Sequence, residues 1–181
     1  MRALAKFFLT PVFFSLLWCA GGVAVQAAEP VQVAVDSTQW VIKDQKAKTE
    51  EFLGRKSLYL TSGFAVLKEV DFENGVIEVD IAAPSPRSFI GISFRGQSEA
   101  DFETVYFRPH KSGLEDAVQY APSFNGSTAW QLFSGKGFTA AAEIPKGQWI
   151  HVRLEITGLS GKVYFNHSEK PVLEIEDLKH G

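Results

Sequence analysis

The chain has 181 residues with 18 basic and 21 acidic side chains, which gives a formal net charge of −3. This acidic balance argues against a nucleic acid or an anionic membrane surface as the partner. The only cysteine is Cys19, so the sequence can form no disulfide or thiolate metal site of its own.

The first 28 residues have the pattern of an export signal. Arg2 and Lys6 give a basic start, residues 7–19 are mostly apolar, and the small residues that follow allow cleavage after Ala27 or after Ala28. An uncleaved membrane anchor is the weaker interpretation, because the apolar run is short and no basic stop-transfer cluster follows it. We therefore expect residues 1–28 to be removed, no membrane span to remain, and the protein to be periplasmic or secreted.

Residues 29–181 are predicted to form one domain. The signal carries two of the basic residues and none of the acidic ones, so the remaining 153 residues have a net charge of −5. This length is sufficient for a single domain with its own core.

Apolar and polar residues alternate along most of the domain, which is typical of β-strands. Short turn sequences such as Glu73-Asn74-Gly75 and Asn125-Gly126 separate the alternating segments. No segment keeps helical apolar spacing for three turns. The predicted strands cover 57–61, 65–70, 75–83, 88–95, 102–108, 117–121, 129–133, 139–143, 149–157, 162–166 and 172–175, with two further candidates at 31–35 and 40–43, and a charged loop or helical turn at 45–51.

Many short, evenly spaced strands predict a two-sheet antiparallel sandwich or a barrel. Each strand then buries one aliphatic face against the other sheet, and each buried Val, Ile or Phe contributes about 1.5–3 kcal/mol. The predicted inward residues are Ile77, Val79, Ile81, Ile90, Ile92, Phe94, Val105, Phe107, Val152, Leu154 and Ile156.

Four segments together resemble the concanavalin A-like lectin/glucanase superfamily, in its laminin G-like branch. They are FENGVIEVDIAAP (72–84), FIGISFR (89–95), VYFRPH (105–110) and KGQWIHVRLEITGLSGKVYFN (146–166). The resemblance covers roughly residues 40–181, essentially the whole chain after the signal, and implies an all-β jelly-roll sandwich of two antiparallel sheets. The superfamily includes lectins, glucanases, keto-disaccharide hydrolase-type domains and adhesion modules. The resemblance therefore leaves the function open.

Members of this superfamily usually have a further strand after a segment like 171–178, and this sequence stops at Gly181. Two explanations stay open: the last strand comes from the N-terminal region, or the sequence is a truncated piece. A missing strand would leave an exposed sheet edge, which is a site of association.

The segment 106–131 carries most of the candidate binding residues. Arginine offers a planar fork of donors for hydroxyls or carboxylates, and tyrosine offers a flat apolar face with a polar tip, which suits a sugar ring. The predicted ligand-binding residues are Arg95, Tyr106, Arg108, His110, Gln119, Tyr120, Asn125, Trp130 and Gln131. The competing interpretation is a solvated face whose arginines pair with nearby acids, with Trp130 packed at a loop base.

Catalytic and metal sites are not predicted. Glu78 and Asp80 fit the start of the E-x-D-x-x-E strand of laminarinase-type glucanases, which these enzymes use for a retaining mechanism. The second glutamate position is Ala83 here, so the pair is incomplete. A calcium ion is common in this superfamily, but Asp101, Glu103, Glu115 and Asp116 follow no loop spacing that specifies one.

The sequence thus predicts an exported module that recognises a carbohydrate or a similar polar small molecule, without a cofactor. Two alternatives stay open. One is a glycoside hydrolase-type enzyme whose carboxylates would come from Glu78, Asp80, Glu103 or Asp116. The other is a protein-adhesion or scaffold module that meets a partner chain through the sheet face or an open edge.

Overall fold

The structure, a computed structural model, describes residues 2–6, 30–44, 46–83 and 87–181. The predicted cleavage site and most of the predicted signal therefore lie outside the described residues. Within the described part there is no α-helix, and no helix that is long and apolar enough to cross a membrane.

Thirteen strands and two 3-10 turns make up the regular structure of the described residues. The strands are β1 (Arg2–Lys6), β2 (Trp40–Ile42), β3 (Lys48–Phe52), β4 (Arg55–Tyr59), β5 (Ala65–Leu67), β6 (Gly75–Ala82), β7 (Ile90–Phe94), β8 (Glu103–Phe107), β9 (Val118–Tyr120), β10 (Thr139–Ala140), β11 (Trp149–Thr157), β12 (Ser160–Phe165) and β13 (Leu173–Ile175). The 3-10 turns are Pro109–Lys111 and Trp130–Leu132.

Every strand pairing is antiparallel, and the strands form a sandwich-like, all-β architecture. The larger sheet has the order β13-β12-β11-β6-β1-β4-β3, in which β1 joins the four strands β13-β12-β11-β6 to the β3–β4 hairpin. The second sheet has the order β10-β9-β8-β7, and β2 pairs with β5 separately.

The core lies between the two larger sheets, and the predicted inward faces are confirmed. All the residues named above as inward are buried, and Phe107 of β8 meets Phe165 of β12 edge to face at 5.3 Å between ring centroids. The alternation places Glu78 and Asp80 on the outer face of the larger sheet, and Tyr106 on the outer face of the smaller one.

Three local predictions are wrong. Residues 129–133 are not a strand, because the turn Trp130–Leu132 curls back with hydrogen bonds from Leu132 and Phe133 to carbonyls three residues earlier. Residues 31–35 are not a strand either, although Val33 and Val35 are buried. Most of the segment expected to be a loop or helical turn belongs to β3, an edge strand in which Lys48 and Glu51 are exposed and Glu50 is partly buried.

Candidate functional site

The outer face of the smaller sheet brings together part of the predicted site. Tyr106 of β8 pairs directly with Gln119 of β9, and on its other side with Gly91 of β7. Arg108 follows β8 two residues after Tyr106, so both side chains leave the same face of the sheet. We call the surface made by Phe89, Tyr106, Arg108, His110, Gln119 and Trp130 the polar aromatic face.

A hydrogen-bond network centred on Gln119 fixes this face. The Gln119 Oε1 atom accepts from the Tyr106 hydroxyl at 2.6 Å and from the Arg108 Nη2 atom at 2.7 Å. Its Nε2 atom donates to the Trp130 carbonyl at 2.8 Å and to the Phe133 carbonyl. Because Gln119 is only 1% exposed, these bonds are partly or fully shielded from water, and they join β8, β9 and the Trp130 turn into one rigid unit.

Arg108 is a buried support for the site, and it offers little surface to a ligand. It is 6% exposed, and its guanidinium lies 5.4 Å from the centre of the Tyr106 ring and 3.3 Å from Asp116 Oδ2. Two of its nitrogens are thus already engaged, while Nε is buried with no hydrogen-bond partner among the described residues. Arg108 and Gln119 therefore hold Tyr106 and the turn beside it in place.

Aromatic side chains provide the accessible part of the face. Phe89 is 51% exposed and lies 6.4 Å from the Tyr106 ring and 5.2 Å from the His110 ring. Trp130 is 48% exposed, and its backbone carbonyl accepts from Gln119. A Cβ atom at Gly91 would stand 3.2 Å from the Tyr106 Cβ, so the glycine keeps this flank of the tyrosine open.

Electrostatics keep the groups of this face in defined protonation states. Burial raises the pKa of Tyr106, more than Arg108 lowers it, so the phenol stays a hydrogen-bond donor at neutral pH. Burial and the positive charges of Arg87, Arg108 and Lys111 hold the pKa of His110 below its usual value, against the opposing effect of Asp116. His110 is therefore mostly a neutral imidazole at pH 7, and its buried Nδ1 atom has no hydrogen-bond partner within the part of the chain that the structure describes.

We expect an NMR titration to place the pKa of His110 below the ordinary value of about 6.5. Lys111→Met removes a neighbouring positive charge and should raise this pKa, whereas Asp116→Asn should lower it further. Because the folded protein resists protonation, the contribution of His110 to stability is complete above its unfolded pKa and declines as pH falls toward the folded pKa. A lowered pKa in Lys111→Met or a raised pKa in Asp116→Asn would contradict this account.

The other predicted residues lie away from the polar aromatic face. Arg95 binds backbone carbonyls at the end of the sandwich, and Tyr120 points into the core because it follows Gln119 directly in β9. Asn125 adopts a left-handed turn conformation, with its backbone N–H on Asp101. Gln131 is exposed in the Trp130 turn, next to the face but without a contact in it.

The four candidate carboxylates do not form one site. Glu103 is buried in the core and Asp116 pairs with Arg108, whereas Glu78 and Asp80 share a polar cavity of about 510 Å³ on the outer face of the larger sheet. Among the described residues, no group of three His, Cys, Asp or Glu is placed to hold a metal ion.

The cavity at Glu78 and Asp80 contains residues that sequence reasoning missed. His151 of β11 contacts Asp80 Oδ1 through Nδ1 at 2.8 Å and lies 3.6 Å from Glu78 Oε1 through Nε2. Arg55 also binds Asp80 at 2.8 Å, and the His167 ring stacks on His151 at 4.1 Å. The imidazole therefore lies between the two carboxylates, where a retaining glycosidase needs open space for the sugar.

Alternation alone placed His151 and Glu78 on outer faces, but the pairing of β11 with β6 was needed to bring them together.

Comparison with known proteins found no matching family model, no matching curated protein and no matching solved structure.

Proposed function

We propose that the protein is an exported carbohydrate-binding module with a jelly-roll sandwich of the concanavalin A-like type. The observation that carries this proposal is the polar aromatic face, where exposed aromatic rings flank a rigid, buried hydrogen-bond network. A surface of this kind offers apolar faces for stacking and fixed polar atoms for orientation, which is what a polar ring-shaped ligand requires.

In this proposal the ligand contacts the rings and the remaining polar atoms of the face. Phe89 provides stacking area beside Tyr106, Trp130 provides it on the turn that Gln119 holds, and Gly91 leaves room for the ligand beside the tyrosine. The Tyr106 oxygen donates its proton to Gln119, so its lone pairs remain available to accept a hydrogen bond from a sugar hydroxyl. Because Gln119 and Arg108 hold the tyrosine in place, little side-chain entropy is lost on binding.

We expect Phe89→Ala or Trp130→Ala to weaken glycan binding about tenfold, which corresponds to about 1.4 kcal/mol. The matched control is Phe124→Ala, because Phe124 is a similarly exposed aromatic (43%) in a turn away from the face, packed on His180. The measurement is a glycan array on the exported protein, followed by titration calorimetry of the best sugar. The proposal would be contradicted if the folded protein bound no sugar, or if all three variants lost the same amount of sugar affinity.

A further inference from the structure

The charged side chains beside the polar aromatic face are mostly positive, although the chain as a whole has a net charge of −3. Besides burial, four charged side chains act on the pKa of His110. Arg87, Arg108 and Lys111 lower it, and Asp116 raises it. The face is therefore an electropositive region on an acidic protein, and such a region favours negatively charged ligands.

The single carboxylate does not neutralise this region, because two cations share it. Asp116 Oδ2 lies 3.3 Å from Arg108 Nη1 and 3.6 Å from Lys111 Nζ. Arg108 is buried and holds the shorter contact, whereas the Lys111 side chain is 39% exposed and holds the longer one. An ammonium group has three donors. Lys111 can therefore bind a second anion that arrives from solvent.

A short loop places Lys111 at the Phe89 end of the face. The Arg108 N–H donates to the Ala117 carbonyl at 2.8 Å, and the Lys111 N–H donates to the Arg108 carbonyl at 2.8 Å, so the loop closes on the end of β8. His110 precedes Lys111 in this turn, and its ring lies 5.2 Å from the Phe89 ring. A stacking ring and a positive charge thus occupy the same end of the face.

Two further acids lie in this loop or against it. Glu143 accepts a hydrogen bond from the Ser112 hydroxyl at 3.0 Å, and Glu115 is exposed. Within the described part of the chain, neither of them forms an ion pair with Lys111, whose carboxylate contact is with Asp116.

We propose that the ligand of the polar aromatic face is an acidic sugar, whose carboxylate or sulfate group binds Lys111 while a sugar ring stacks on Phe89. The inference rests on the proposed carbohydrate binding and narrows its ligand class. An anion would relieve the repulsion among the three cations, and a neutral sugar of the same shape would not. Because Lys111 lies at the surface, salt should screen this attraction.

The test offers the exported protein a panel of neutral, uronic acid-containing and sulfated oligosaccharides. Calorimetry then compares the tightest acidic binder with its neutral counterpart, which is the methyl ester of a uronate or the desulfated form of a sulfate ester. We expect the acidic form to bind about tenfold more tightly at low salt. At about 1 M salt, where the Debye length is only about 3 Å, this preference should largely disappear. The panel also shows which of the two anionic groups is recognised.

Two lysine variants test the role of position. Lys111→Met should weaken binding of the acidic sugar about tenfold and change binding of its neutral counterpart by less than about twofold. Lys111→Arg keeps the charge and should keep the preference. The matched control is Lys136→Met, which removes the same charge from a side chain that is 93% exposed and pairs with Glu176. This control should retain the preference.

The possible failures separate this inference from the function on which it rests. Equal affinity for the acidic sugar and its neutral counterpart, or equal losses in Lys111→Met and Lys136→Met, would overturn the acidic ligand and leave carbohydrate binding intact. Folded protein that bound no sugar of the panel would overturn both.

Discussion

Replacement of Glu103 by alanine should lower the free energy of unfolding by about 4 kcal/mol, the largest effect that we expect from a single polar side chain. Glu103 is completely buried in β8 and accepts from three donors. These are the Tyr120 hydroxyl at 2.7 Å and the backbone N–H groups of Lys179 and His180 at 2.6 and 2.7 Å. Each buried donor left without an acceptor costs about 1–3 kcal/mol.

The measurement is urea unfolding of Glu103→Ala together with two milder variants. Tyr120→Phe removes one donor and leaves the carboxylate its backbone partners, so it should cost only about 1 kcal/mol. Glu103→Gln keeps one carbonyl oxygen for the two N–H groups and should lie between the other two. Because both amides belong to the C-terminal segment, hydrogen exchange in Glu103→Ala should accelerate first at Lys179 and His180. A loss below about 1 kcal/mol would show that this carboxylate does not anchor the segment.

Burial and the hydrogen bond to Glu103 also keep the Tyr120 phenol protonated. Both effects raise the pKa of Tyr120 far above its usual value, so the phenol does not ionise at neutral pH. In the sequence Glu103 precedes the outward Thr104, and it was a candidate calcium ligand or ion-pair partner of an arginine. Only the three-dimensional structure shows a core carboxylate satisfied by a segment more than seventy residues away.

Alternation was a sound guide to the inner faces of the long strands. Ile77, Val79 and Ile81 of β6 lie in the core as predicted, because a strand with one buried face must repeat its apolar residues every second position. The same rule would have separated Gln119 from Tyr120, since neighbours in a strand point to opposite faces. Assigning both to one binding face was inconsistent with the pattern that identified the strand.

Short-range patterns failed where tertiary contacts decide the conformation. The strand β3 has the sequence KTEEF and lacks the apolar alternation of a half-buried strand. Its pairing with β4 and the contact of Phe52 with Trp149 stabilise it. The segment at Trp130 has aromatic and aliphatic residues typical of a strand, yet its backbone N–H groups turn back on their own chain. The Trp130 carbonyl accepts a hydrogen bond from Gln119, a contact that spacing along the sequence does not reveal.

Arg95 was expected to bind the ligand because it lies at the end of a strand that carries polar outward residues. The backbone leaves the sheet direction at this residue, where φ is +49°, and the guanidinium turns toward the end of the sandwich. It donates to the carbonyls of Glu73 at 2.8 Å, Gly158 at 2.6 Å and His180 at 3.0 Å. Arg95 thereby joins the bends at Glu73 and Gly158 to the C-terminal segment.

We therefore expect Arg95→Ala to lower the free energy of unfolding by about 3 kcal/mol, because three carbonyls lose a charged donor. Arg95→Lys should recover less than half of this loss, since one ammonium cannot reproduce the planar fork that reaches all three carbonyls. Arg95→Gly should be less destabilising than Arg95→Ala by up to about 1 kcal/mol, because glycine adopts positive φ without the cost that a Cβ atom imposes. Urea unfolding measures all three variants. Glycan binding by the folded fraction of Arg95→Ala should equal that of the unmodified protein, and a specific loss of binding would return Arg95 to the ligand site.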